Sequence, residues 1–240
     1  DQRIELFSSL APLALTFGQT LAQPVWDELA DEDWSRSWKQ HWQPDPVGQM
    51  LLILPAWLGV PEEHAQRLVL KMDPGSAFGT GSHPTTRLCL EALEQQPPAT
   101  MRVADLGCGS GVLGLAAIAL GARQVLAVDT DSLAVSATAD NAALNGLSAD
   151  ALRVRQGSVE VLQNLLAQQP ADLLLCNILA PVIEALAPHF EAVLRPGGRG
   201  LLSGLLVEQA PRLTAVLEGL GWKVRPLAEQ ARWGLLEIQR

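Results

Sequence analysis

The chain has 240 residues, 48% of them hydrophobic and 18% charged, which suffices for one substantial core with a small appendage and argues against a disordered chain. A net charge of −9, from 26 acidic against 17 basic side chains, speaks against broad binding to a nucleic-acid backbone, which needs clustered Lys and Arg, and fits a small molecule or a basic protein partner. The longest apolar runs, near 51–60 and 112–122, are broken by Pro55 or closed by Arg123; both fall short of the roughly 18 residues of a membrane span, and no leader-like stretch opens the chain, so a cytoplasmic protein is expected.

In chain order, residues 1–30 alternate short apolar segments with Pro12 and Pro24 and read as an incomplete unit. Trp34, Trp38 and Trp42 recur at the spacing of one helix face, as in a helix laid by its indoles against a neighbour. "QPDPVG" (43–48) reads as a linker, so 31–50 form a Trp-rich helix and linker ahead of a domain over 51–240.

From there strand and helix alternate. Two strands, in "QMLLILPAW" and "QRLVLKMDP", bracket a turn with Pro61, and a helix over 85–95 stops before Pro97 and Pro98. Strands at 101–107, 124–129, "LRVRQG" and 171–177 are interleaved with helices "GVLGLAAIALGA" and "SLAVSATADNAALNG". A helix in "PVIEALAPHFEAVL", a turn at "RPGG" (195–198), strand "RGLLSGLL", a helix over 207–219 and two terminal strands complete the chain. Strands separated by helices of 10–15 residues mean a parallel sheet covered on both faces: an α/β, Rossmann-like, doubly wound fold. The short link between the last two strands predicts an antiparallel hairpin at one edge.

In such a sheet, ligands bind beyond the carboxyl ends of the strands. "DLGCGSG" (105–111) lies there, its glycines letting the backbone approach a ligand, and Asp129 ends the next strand, where a carboxylate accepts ribose hydroxyls. "GSGVLG" also matches the dinucleotide fingerprint, so an NAD-dependent oxidoreductase is one reading. Asp105 weighs against it: a carboxylate about 5 Å from a pyrophosphate repels each negative charge by roughly 3 kcal/mol at an effective dielectric near 20. S-adenosylmethionine carries a sulfonium and an ammonium and no phosphate, so the pair Asp105 and Asp129 favours a methyltransferase.

Asn177 closes the strand "ADLLLCN". Its amide carbonyl can accept a hydrogen bond from an amine substrate, or it can cap the helix that follows; geometry from sequence leaves both open. The three cysteines are far apart and read as buried thiols, and the four histidines lack metal-ligand spacing, with His83 drawing attention beside the glycine-rich stretch.

"DLGCGSG", "VDTD" and "CNIL", preceded by "DPGSAFGTGSHPTT" and "DEDWSRSW", together resemble the PrmA-type ribosomal protein methyltransferases. The resemblance runs from about residue 31 to the C-terminus and implies a seven-stranded methyltransferase sheet. It implies a substrate in ribosomal protein L11, methylated on its N-terminal α-amine and lysines. The alternative readings are a methyltransferase acting on another protein or on a nucleic-acid exocyclic amine, the latter disfavoured by the acidic balance. Carried over by position, it implies an S-adenosylmethionine site at Thr86, Gly107, Asp129 and Asn177, with Phe78, Thr80, Gly109 and Asp105 nearby and Asn177 as the catalytic residue. Where related enzymes read N-P-P-Y, Asn177 is followed by Ile178, Leu179 and Ala180, without an aromatic ring. Residues 1–30 would be the remnant of the family's N-terminal recognition domain. "DPGSAFGTGSHPTT" lacks the Gly-Lys-Ser/Thr ending of a phosphate loop; it is expected to cover the methionine end of the cofactor, with Phe78 excluding water and Thr86 bonding from the helix start.

Overall fold

The computed structural model describes residues 42–73 and 79–240. The Trp-rich helix and Phe78 lie outside the described residues. The chain divides into two units, Asp1–Trp42 and Gln43–Arg240.

A three-stranded sheet comes first: β1 (Asp45–Val47), β2 (Leu51–Pro55) and β3 (Leu68–Met72), with β1 antiparallel and β3 parallel to the central β2. The expected linker at 43–48 is therefore partly a strand. Its partners come from far along the chain. On helix α1 (Pro84–Gln95), Arg87 donates to the Asp45 carboxylate and the Pro46 carbonyl, and Glu94 accepts the N–H groups of Gln49, Met50 and Leu51. Pro46, which lacks a donor, is tolerated because β1 is an edge strand.

The main sheet has seven strands: β4 (Arg102–Leu106), β5 (Gln124–Asp129), β6 (Leu152–Gln156), β7 (Ala171–Asn177), β8 (Leu194–Leu206), β9 (Lys223–Gln230) and β10 (Trp233–Gln239). Their order is β6-β5-β4-β7-β8-β10-β9, with β10 antiparallel to both its neighbours and the remaining pairs parallel. The doubly wound α/β sheet and the terminal hairpin are as the sequence predicts. Consecutive strands run outward from β4 to β6 on one side and from β7 onward on the other, so the crevice opens between the carboxyl ends of β4 and β7.

Alternate residues of β4 serve opposite faces. Val103 joins a core with Leu88, Leu93 and Leu115, while Ala104 and Leu106 join another with Leu162, Phe190 and Leu213. The crossover helices are α2 (Val112–Ala119), α3 (Ser132–Leu144), α4 (Val159–Leu166), α5 (Ala180–Leu186), α6 (Phe190–Val193) and α7 (Ala210–Gly219). No element is expected from sequence at α4, although its buried Val159, Leu162 and Leu166 follow helical spacing. The single helix expected after Pro181 is instead split into α5 and α6 by a 3₁₀ turn at Ala187–His189, because Pro188 has no N–H to continue the ladder. The "RPGG" turn becomes a bulge inside β8: Leu194 pairs with Ala171, but Arg199 already faces Leu173. Among the described residues no helix is long and apolar enough to cross a membrane.

Candidate active site

A cavity of about 520 Å³ lies over the carboxyl ends of the central strands. Gly107 and Gly109 follow β4, Asp129 and Thr130 close β5, and Gly157 and Ser158 follow β6; all line the cavity. Asn177 to Leu179 after β7 line it too, together with His83 and Thr85 from the start of α1 and Trp233 from β10. A cavity of this size at a switch in strand order is the usual form of a small-molecule site.

Two glycine contacts bring the pieces together. Gly107 has φ +78°, and a Cβ there would stand 2.3 Å from Ile178 Cγ2. Gly204, on β8, has φ +83°, and a Cβ there would stand 2.2 Å from the Ile178 carbonyl oxygen. The backbone after Asn177 is thus packed against two positions that accept only glycine, which presses the Asn177–Ile178 step against the turn after β4.

Asp129 is held from both sides. Its Oδ2 accepts the Gly109 N–H at 2.9 Å and its Oδ1 accepts the Asp131 N–H at 3.0 Å, leaving further lone pairs on each oxygen for hydroxyls. Asn177 donates from Nδ2 to Thr86 Oγ1 at 3.4 Å, while its Oδ1 is buried and has no partner among the described residues. The capping alternative for Asn177 is excluded, since the N-cap of α5 is Leu179 and makes no side-chain bond.

Of the residues singled out from sequence, Gly107, Gly109, Asp129 and Asn177 line the cavity; Thr86, Thr80 and Asp105 do not. Thr86 is fully buried and acts as the acceptor behind Asn177. Thr80 pairs with Ser82 at 3.4 Å. Asp105, expected to face the cofactor, is 1% exposed and lies beneath the cavity on the other side of β4 from Leu106. Alternation along the strand explains why Leu106 lines the cavity and Asp105 does not: neighbouring residues cannot share a face. Burial first, and then the Asp129 charge, push the Asp105 carboxyl up to about 7, and its Oδ2 lacks a partner among the described residues.

The sequence did not single out Trp233, Gly204 or Ser158. Trp233 sits in a terminal strand with no local motif, and only the insertion of β10 beside β8 carries it to the cavity. His83 is both lining and cap: its Nδ1 accepts the Thr85 N–H, and its ring meets Trp233 edge-on with centroids 4.9 Å apart. Cys89, Cys108 and Cys176 are free and buried, and burial pushes all three thiols up, Cys89 to about 12; none is an ionised nucleophile near neutral pH. Among the described residues no three His, Cys, Asp or Glu side chains form a metal-holding group.

The residues present fit S-adenosylmethionine. Among the described residues the lining carries one carboxylate, held by backbone N–H groups, a glycine turn that admits close approach, and no Lys or Arg to balance a pyrophosphate.

The family model for ribosomal protein L11 methyltransferase (PrmA) matches residues 5–240. The chain belongs to the PrmA family. The ribosomal protein L11 methyltransferase of Parasynechococcus marenigrum (strain WH8102) is 71% identical over 239 residues, covering 100% of this chain and 83% of the relative. Among solved structures, the ribosomal protein L11 methylase of Lactobacillus delbrueckii subsp. bulgaricus matches with a TM-score of 0.72 and 32% identity, over 83% of this chain and 99% of that one. A T. thermophilus 16S rRNA methyltransferase in complex with AdoMet and guanosine matches with a TM-score of 0.55 and 26% identity, over 68% of this chain and 45% of that one. PrmA membership makes the chain a methyltransferase and sets aside the oxidoreductase reading of "GSGVLG".

Proposed function

We infer that this chain methylates ribosomal protein L11 with S-adenosylmethionine as methyl donor, the activity its family and its most similar relatives are named for. We further propose that the acceptors are amines, the N-terminal α-amine and lysine side chains, and that the work is done in the cytoplasm. The carrying observation is Asn177: a buried amide oxygen without a partner among the described residues, on a residue that lines the same cavity as Asp129, is an acceptor waiting for an N–H donor.

In this reading Asp129 takes the ribose hydroxyls and the turn through Gly107 and Gly109 takes the cofactor body. The bound cofactor supplies an electrophilic methyl group on a sulfonium. Asn177 Oδ1 accepts an N–H of the neutral amine and so aims the nitrogen lone pair at the methyl carbon; Thr86 fixes the amide so that its oxygen, not its nitrogen, faces the amine. The bound cofactor would give up its methyl carbon to the amine and keep the C–S electron pair as a thioether, and the surplus proton on the amine would pass to water. Catalysis is mainly orientation and exclusion of solvent, because a neutral amine is already a nucleophile. Leu179, Val182 and Trp233 give this end an apolar wall that suits the aliphatic stem of a lysine.

The test is transfer of radiolabelled methyl groups into purified L11, with mass spectrometry to locate them. Label in α-amine and lysine positions is expected; label in ribosomal RNA and none in protein would overturn the reading. Asn177→Ala should lower kcat tenfold or more, on the order of one lost hydrogen bond to the reacting group, with S-adenosylmethionine affinity nearly unchanged. Asp129→Ala should do the reverse, weakening cofactor binding in calorimetry.

A further inference from the structure

Helix α3 holds the turn after β4 from outside. Thr138 and Asn141, 0% and 1% exposed, both point inward. Thr138 Oγ1 donates to the Gly109 carbonyl at 2.9 Å, and Asn141 Nδ2 donates to the Ser110 carbonyl at 2.9 Å. Asn141 also reaches a second segment, where its Oδ1 accepts the N–H of Asp73, just past the end of β3, at 2.8 Å. One turn later Asn145 brackets Lys71, accepting its N–H and donating to its carbonyl. Ser110 reaches the other way, its Oγ donating to the Gly79 carbonyl at 2.6 Å.

The cofactor turn is therefore bonded to the chain on both sides of the glycine-rich stretch, at Asp73 through Asn141 and at Gly79 through Ser110. Downstream of Gly79 the chain runs directly to His83 and Thr85, which line the acceptor end, and to Thr86, which holds Asn177. Neither Ser110 nor Asn141 lines the cavity, and both are almost wholly buried. Four polar side chains bonded to backbone groups of distant segments form a network that fixes geometry, beyond what close packing of apolar groups would do there.

We propose that Ser110 and Asn141 are positioning residues for methyl transfer: Ser110 fastens the arm Gly79–His83 to the cofactor turn and Asn141 fastens that turn to the end of β3 at Asp73, so that the group accepting the amine is registered against the methyl donor. Asn141 sets where the chain leaves β3, and Ser110 sets where it arrives at the acceptor wall. Orientation is the main catalytic device in this site, so a small displacement of the arm lowers turnover more than it lowers cofactor affinity.

The first experiment needs no activity. Amide hydrogen exchange on the whole chain without cofactor, comparing wild type with Ser110→Ala, should show faster exchange, about three- to tenfold, across residues 80–86, as expected for loss of one neutral hydrogen bond. Protection across β4 should stay as it was. Unchanged exchange at 80–86 would overturn the proposal. The second experiment rests on the function proposed above and uses L11 as acceptor. Ser110→Ala should lower kcat by about the same factor, while affinity for S-adenosylmethionine in calorimetry changes less than about threefold. Asn141→Ala should show the same split with a lower melting temperature, since it removes bonds at two segments. Parallel loss of cofactor affinity and kcat would reduce the residues to general structural support and overturn the proposal. If wild type itself transferred no methyl to L11, the function would fall, and the exchange result would still decide the inference.

Discussion

Asp105 has a charge state that depends on its surroundings more than that of any other described carboxylate near the site. It is wholly buried beside Cys89, Cys108 and Cys176, with the Gly114 N–H of α2 as partial compensation and the Asp129 charge opposing ionisation. Its carboxyl is raised from 3.8 to about 7. Between those values the folded chain holds a proton that the unfolded chain has released, so this group makes stability fall as pH rises from about 4 to about 7, and flat above that. Asp105→Asn removes the dependence. Its melting temperature relative to wild type should improve between pH 4 and pH 8, by about 3 °C or more for a chain of this size; a constant offset across that range would show that Asp105 is ionised throughout. The same residue shows how faces decide surroundings: a carboxylate two positions before the first glycine is buried away from the cavity that its neighbour Leu106 lines.

The elements that matter most to the site meet where β7 and β8 pass the turn after β4. Gly204 lies within β8, far from any motif, yet its left-handed backbone and its contact with the Ile178 carbonyl fix the step after Asn177. Gly204→Ala puts a Cβ against backbone that cannot move aside like a flexible side chain. It should cost about 1–3 kcal/mol of stability from the strained conformation, and methyl transfer should fall further than thermal unfolding at assay temperature accounts for. Activity and melting temperature equal to wild type would mean that β8 yields at this point. Sequence periodicity could locate β8 and the helix over 207–219, but a glycine among leucines carries no sign of what crosses it. The "RPGG" bulge reads as a plain turn in the sequence for a related reason: turn residues mark a local break, while pairing of Leu194 with Ala171 is set by a strand 23 residues away.

Across the whole molecule, the chain carries a net charge of −9. A field of that sign speeds encounter with a basic partner and is screened within roughly 8–10 Å at moderate salt. The second-order rate kcat/KM for a basic protein acceptor should therefore fall several-fold as salt rises from about 50 to about 300 mM, with S-adenosylmethionine affinity much less affected. A rate independent of salt would place recognition in apolar contacts alone, with the exposed Leu179 and Val182 at the cavity rim as the first surfaces to alter.

Alternation of short strands and helices, and glycines and carboxylates at strand ends, determined the doubly wound sheet, the glycine turn after β4 and the strand-end positions of Gly107, Gly109, Asp129 and Asn177 on the cavity. Those features are local, because period, turn chemistry and strand ends are written within a few residues. Which face Asp105 takes, which atom of the Asn177 amide is left free, the arrival of Trp233 and His83 at one wall, and the fastening of Asp73 and Gly79 to the turn after β4 were decided by tertiary structure. Each depends on segments tens of residues apart meeting across the sheet, and no local pattern records such a meeting. "DPGSAFGTGSHPTT" shows both: its residue types mark it out in the sequence, but the groups that hold its flanks lie on β4's turn and on α3.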